Sequence, residues 1–177
     1  MSSSQIDFRN LTVVELGAGT GLCSLVAASL GADAMATDRN EETLRLVELA
    51  ASRQGLEVRT QHFDIIGGVP LPSCHVLLSA DCMYNAEVAR NLARLLARAH
   101  QRGIKTIVAD SVRIAREEFE DELSSLGVAY EVEDYRFTFT GSAVSFDEDV
   151  TRSALVSFFN FLPLEPAVAP GGSTLSQ

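Results

Sequence analysis

Leu11-Thr-Val-Val-Glu15-Leu-Gly17-Ala-Gly19-Thr-Gly21-Leu22 is an apolar run that breaks into three spaced glycines and restarts as a helical pattern. A run without polar alternation is what a strand covered on both faces requires. Glycine has no Cβ, so the turn leaving that strand lets a ligand come close to the backbone. Strand, glycine turn and helix in this order open a doubly wound sheet, which binds ligands outside the carboxyl ends of its strands.

The rest of the chain repeats the alternation. Four helical stretches each end at a glycine suited to the left-handed conformation: Gly31, Gly55, Gly103 and Gly127. Between and beyond them lie β-rich runs at Leu11–Leu16, Ala32–Asp38, Glu57–His62, His75–Ala80, Ile104–Asp110, Val128–Phe139 and Thr151–Leu162. Strand and helix in turn predict a parallel sheet with helices on both faces. From Ala86 to Arg102 one apolar stripe runs through Val88, Leu92, Leu95, Leu96 and Ala99, with Asn85 placed to cap the helix. Phe119, Leu123 and Leu126 form the stripe of Ala115–Leu126, and the five acids around it read as a solvated face. Gly141–Asp149 is too short and polar for a crossover, so the last two strands are expected as an antiparallel hairpin. Within Val128–Phe139 the apolar phase slips between Val132 and Tyr135, which predicts a bulge at Glu133–Asp134. Residues 1–162 read as a single domain and 163–177 as a flexible Pro/Gly/Ser tail.

Composition bounds the function. A chain of 177 residues, 46% hydrophobic and 21% charged, is long enough to bury a core and is not disordered throughout. No apolar run approaches the ~18 residues of a membrane span, and the opening Met-Ser-Ser-Ser-Gln-Ile-Asp lacks the features of a signal peptide. Fourteen basic against 24 acidic residues leave a net charge of −10, which repels nucleic acid and anionic membrane and suits a basic protein segment. Three cysteines without a C-x-x-C point to a reducing compartment, the cytoplasm or the nucleus.

The glycine turn itself discriminates between cofactors. A dinucleotide fingerprint reads G-x-G-x-x-G and seats a pyrophosphate on the helix N-terminus. Here the spacing is G-x-G-x-G, and Glu15 stands two residues before the first glycine. A carboxylate in that position is unwelcome to a pyrophosphate and suits a cation, such as an amino acid joined to a sulfonium. Asp38 ends the second strand, 17 residues beyond Gly21, where an acid accepts hydrogen bonds from ribose hydroxyls. Asn40 is available to cap the next helix, so Asp38 is not needed for that. Phe63 and Asp64, just past the third strand, are placed to meet an adenine face and its amino group.

Val14-Glu-Leu-Gly-Ala-Gly-Thr-Gly-Leu, Asp38 and Ser79-Ala-Asp81-Cys-Met-Tyr84 together resemble the seven-strand S-adenosylmethionine-dependent methyltransferases. Within them the chain is most similar to the protein-lysine methyltransferases of family sixteen, which carry E-L-G-x-G-x-G after strand one and D-x-x-Y after strand four. The resemblance implies a three-layer, Rossmann-like α/β sheet, mostly parallel with a C-terminal antiparallel hairpin. It implies S-adenosyl-L-methionine as cofactor, held by Glu15, Gly17, Gly19, Gly21, Asp38, Asp64 and Ala80, and Ala18, Arg39 and Phe63 beside them are further candidates for the same site. It places Asp81 and Tyr84 towards the substrate, an exposed lysine of a protein. Two alternatives stay open: a small amine as acceptor, as in nicotinamide-type enzymes, and a binding module that keeps the fold without catalysis. The second is motivated by the absence of tryptophan and the ten residues before strand one, since family members carry a tryptophan-containing segment there. His62, His75 and His100 show no metal-ligand spacing, so no metal is expected, and Cys82 reads as a small buried filler.

Overall fold

In a computed structural model of the chain, which describes residues 6–111, 113–142 and 149–163, the expected alternation is present. The elements are β1 (Thr12–Leu16), α1 (Leu22–Ser29), β2 (Asp33–Asp38), α2 (Glu41–Gln54), β3 (Val58–His62), β4 (Val76–Ala80), α3 (Ala86–Gln101), β5 (Lys105–Asp110), α4 (Arg116–Ser125), β6 (Tyr130–Ser142) and β7 (Asp149–Phe161). They form one seven-stranded sheet in the order β3-β2-β1-β4-β5-β7-β6. The first five strands are parallel, and β7 returns antiparallel between β5 and β6. The strand order reverses between β1 and β4, which makes the gap above them the place for a ligand.

Local chemistry fixes the helix ends. Gly31, Gly55, Gly103 and Gly127 all take positive φ, so each helix stops where a left-handed residue is affordable. Asn40 accepts from the Glu42 amide at 2.9 Å and Asn85 from the Val88 amide at 2.9 Å. Each cap contributes about 1 kcal/mol.

The sheet buries both faces of its central strands. On one face Val13, Ala34, Val76 and Leu78 pack with Ala27 of α1. On the other, Val14, Leu16, Leu77 and Val108 meet the apolar stripe of α3 together with Phe119 and Leu123 of α4. Phe119 stands edge-on to Phe159 at 5.3 Å and 79°, tying α4 to β7. Leu126, expected in the α4 stripe, caps that helix and is 40% exposed.

The expected bulge at Glu133–Asp134 is absent. β6 and β7 pair one for one from Tyr130↔Phe161 to Ser142↔Asp149. The phase slip has another cause. Tyr130 shares a face with Phe159, which packs on α4. Beyond Ser157, the last β7 residue paired to β5, the two strands run on without that neighbour. With no buried face to hold the phase, Tyr135 and Phe137 lie on the opposite side, where Tyr135 meets Phe158 edge-on at 5.4 Å. Most of the expected hairpin turn, and the tail beyond Pro163, lie outside the described residues.

Candidate cofactor and acceptor site

The glycine turn after β1 is pinned from three sides. Gly17, Gly19 and Gly21 have φ of 63°, 52° and 74°. A Cβ on Gly17 would meet Cys82 Sγ at 2.5 Å, and one on Gly21 would meet Val47 at 2.7 Å. A Cβ on Gly19 would meet nothing within 4 Å. Two of the glycines are therefore demanded by the protein's own packing, while the third faces open space above the sheet.

Asp38 fastens this turn to β2. Its carboxylate accepts from the Gly19 amide at 3.1 Å and from the Asn40 amide at 2.9 Å. A carboxylate has about four acceptor positions, so two remain for hydroxyls of a bound sugar. Glu15 is buried beneath the turn and accepts from Ser24 twice, from its amide at 2.8 Å and its hydroxyl at 2.5 Å. Burial pushes the Glu15 carboxyl up, and the Ser24 and Cys23 hydrogen bonds only partly offset this. Ala18 is buried and its amide donates to the Thr37 carbonyl at 2.9 Å, while Arg39 is exposed.

The adenine-side residues divide. Phe63 donates its amide to the Asp38 carbonyl at 3.0 Å, and its ring joins the core on the α3 side with 3% exposure. It is therefore a wall of the fold and offers no free stacking face. Asp64 is half-buried in a turn where Oδ1 accepts from the Ile66 amide at 3.0 Å.

Ala80 and Asp81 follow at the end of β4. Asp81 has φ 55°, a left-handed conformation uncommon for a residue with a Cβ and a recurrent mark of a functional position. Its amide donates to the Ala109 carbonyl at 3.0 Å. One carboxylate oxygen accepts from the Ser111 amide at 2.7 Å; the other lies 3.3 Å from the Arg113 guanidinium. Burial raises this carboxyl, but the Ser111 hydrogen bond and the Arg113 charge outweigh it and hold it below its usual value. Asp81 stays charged at neutral pH with a side chain 43% exposed, and Tyr84 beside it is 45% exposed. Cys82 is 4% exposed, its thiol pushed up by burial, and it fills the contact with Gly17. That contact presses the loops after β1 and β4 together.

The end of β5 beside Asp81 carries a polar cluster that no local motif in the sequence announces. Asp110 closes β5, is 1% exposed, and accepts from the Arg113 amide at 2.8 Å. Beyond it Arg116 donates to Ser157 Oγ at 2.8 Å, and Ser157 donates to Asp134. An available signal was that β2, β4 and β5 are each closed or directly followed by an aspartate.

Comparison with known proteins bears on the family and the fold. A model of the family described as lysine methyltransferase matches residues 2–125. The chain is 30% identical over 145 residues to the protein N-lysine methyltransferase METTL21A of Danio rerio, a match covering 77% of this chain and 65% of that one. It thus spans about two thirds of that relative's length. Among solved structures, it is similar to precorrin 8w decarboxylase of Methanobacterium thermoautotrophicum (TM-score 0.62, 19% identity, 86% and 82% of the two chains). It is also similar to the magnesium protoporphyrin IX methyltransferase of Synechocystis with bound SAM (TM-score 0.58, 16% identity, 87% and 72%). At these identities the structures speak for the sheet alone. The strand order, the glycine turn with its partner acid, the aspartate after β4 and the family match across most of the chain lead to one statement: the chain belongs to the lysine methyltransferase family.

Proposed function

We propose that the chain is an S-adenosylmethionine-dependent N-methyltransferase that methylates a lysine side chain of a protein. The observation that carries this reading is Asp81, a charged, half-exposed carboxylate at the end of β4, beside a glycine turn with one open position.

The residues fit the cofactor. Open space above Gly19 admits a ligand to the backbone, Asp38 keeps acceptor positions for a ribose, and the Glu15 and Asp38 carboxylates give the turn a negative field. Gly17–Gly21 and Asp38 would hold it, with Asp64 and Ala80 at the margin. When bound, it supplies an electrophilic methyl group activated by a sulfonium.

The chain's own residues manage the acceptor. A lysine is protonated near neutrality, with a reference pKa of about 10.4, and an ammonium has no lone pair to attack with. Asp81 attracts the cation and Tyr84 offers a hydroxyl or a ring face beside it. Because Arg113 already faces Asp81, the arriving ammonium competes with a guanidinium for the same carboxylate. Asp81, held below its usual pKa, is too weak a base to take the proton, which goes to water. Its work is orientation. The exposure of Asp81 and Tyr84 favours an acceptor presented on a protein over a small amine enclosed in a pocket.

Three free cysteines and a net charge of −10 fit a reducing compartment, cytosol or nucleus, and a basic substrate. Among the described residues no helix is long and apolar enough to cross a membrane. The test is methyl transfer from radiolabelled S-adenosylmethionine to lysine-bearing proteins, comparing the natural chain with Asp81→Asn. Loss of transfer with cofactor binding retained supports the reading. Equal transfer by the variant removes Asp81 from its role, and turnover of free amines without protein moves the acceptor to small molecules.

A further inference from the structure

The solvent face of α3 carries Arg90, Arg94, Arg98 and Arg102, the last at its C-cap, one every four residues and all exposed. The row climbs one side of the helix for ~18 Å. Arg94 pairs with Glu122 of α4 at 2.8 Å. The guanidinium groups of Arg90, Arg98 and Arg102 make no ion pair or hydrogen bond with any described residue.

Like charges at i, i+4 repel and weaken a helix. The helix dipole rewards cations in the last turn alone, so it accounts for Arg98 and Arg102; Glu122 accounts for Arg94, and Arg90 is left without a structural partner among the described residues. In a chain with 24 acids and 14 bases, Arg90, Arg98 and Arg102 stand on one helix face with no described acid paired to them.

The lower end of the row borders a hollow. Gly68, Val69, Pro70 and Leu71, in the loop between β3 and β4, stand across from Leu95, Arg98, Ala99 and Arg102 and enclose about 220 Å³. Leu95 and Ala99 are buried at its floor, and Val69 is 52% exposed at its rim. An apolar cavity of about 150 Å³ admits a benzene ring, so one leucine- or phenylalanine-sized side chain matches the volume of this hollow.

We propose that this face docks an acidic segment of a partner protein, its carboxylates on the arginine row and one apolar side chain in the hollow. A nucleic acid is the weaker match, because it carries no aliphatic side chain to fill a hollow floored by Leu95 and Ala99 and walled by Val69, Pro70 and Leu71. α3 runs antiparallel to its neighbouring strands, so Arg98 and Arg102 lie at the edge of the sheet opposite Asp81 and leave the acceptor site free. The inference does not depend on the methyltransferase reading.

The test titrates the full chain into a fluorescein-labelled peptide of alternating glutamate and leucine and reads anisotropy at low and high salt. The expected result is saturable binding that weakens with salt and falls about tenfold or more in Arg98→Gln/Arg102→Gln. That variant loses a dipole interaction and relieves a like-charge repulsion of similar size, so its melting temperature should hold, and Asp81→Asn should bind as the natural chain does. Absence of saturable binding, equal binding by the double glutamine variant, or tighter binding of a single-stranded RNA of equal charge overturns the proposal.

Discussion

Replacing Gly19 by alanine separates a folding cost from a binding cost that most glycine substitutions mix. Gly19 and Gly55 share a left-handed backbone, with φ of 52° and 65°, and at both a Cβ would meet nothing within 4 Å. They differ in place. Gly55 ends α2 at the edge of the sheet remote from any proposed ligand contact, whereas Gly19 lies under the proposed cofactor. Each alanine carries the same conformational penalty of about 1–2 kcal/mol, which lowers the melting temperature of a chain this size by roughly 2–8 °C. Only at position 19 does the new methyl stand where the ligand must approach. Pushing a tight contact apart by one methyl costs about 1–3 kcal/mol, a loss of some tenfold to a hundredfold in affinity. Calorimetric titration with S-adenosylhomocysteine, beside thermal melts of both variants, measures the two effects separately. If Gly19→Ala binds as tightly as Gly55→Ala, the ligand does not lie along this turn and the reasoning fails.

The remaining predictions concern the neighbours of that turn. Gly17→Ala should be costlier to stability than Gly19→Ala, because its methyl would sit 2.5 Å from Cys82 Sγ; adding Cys82→Ala should recover about 1–3 kcal/mol in a double-mutant cycle read by urea unfolding. Glu15 has its carboxyl raised in the folded chain, so it favours folding most at acid pH and loses that contribution as pH rises through the folded value. Glu15→Gln, whose amide oxygen can still accept from Ser24, should therefore flatten the fall in stability above pH ~4.5 and be at least as stable as the natural chain at pH 7; a less stable variant at pH 7 would contradict this. Asp81→Asn should change stability by no more than about 1 kcal/mol: the Arg113 pair is solvent-screened, and asparagine tolerates the left-handed backbone. A larger loss would show that Asp81 holds up the fold rather than the acceptor.

The legible part of the molecule was the part that local rules control. Gly31, Gly55, Gly103 and Gly127 mark helix ends because a positive φ is a one-residue requirement, and Asn40 and Asn85 mark helix starts for the same reason. The glycine turn and Asp38 were readable because strand, turn and helix are consecutive in the chain. Ser111 and Arg113 were not, since they reach Asp81 only through the pairing of β4 with β5, some thirty residues apart in sequence. The slip in alternation signals no bulge, because alternation reports a buried face only where one exists, and the β6–β7 pair runs on past the end of β5 from the point where the alternation shifts. Phe63 follows a strand end, yet its ring turns into the α3 core, a long-range packing that its place in the sequence does not announce.

The central claim is that the turn between β1 and α1 and the acid closing β2 hold a sulfonium nucleoside with its reactive end towards Asp81. A crystal structure of the chain with S-adenosylhomocysteine tests it most directly. The account predicts the ribose hydroxyls on the Asp38 carboxylate, the amino-acid end along Gly17–Gly21, and the sulfur facing the end of β4. Density for the ligand elsewhere, or a hollow above Gly19 closed by the chain's own side chains, would contradict it.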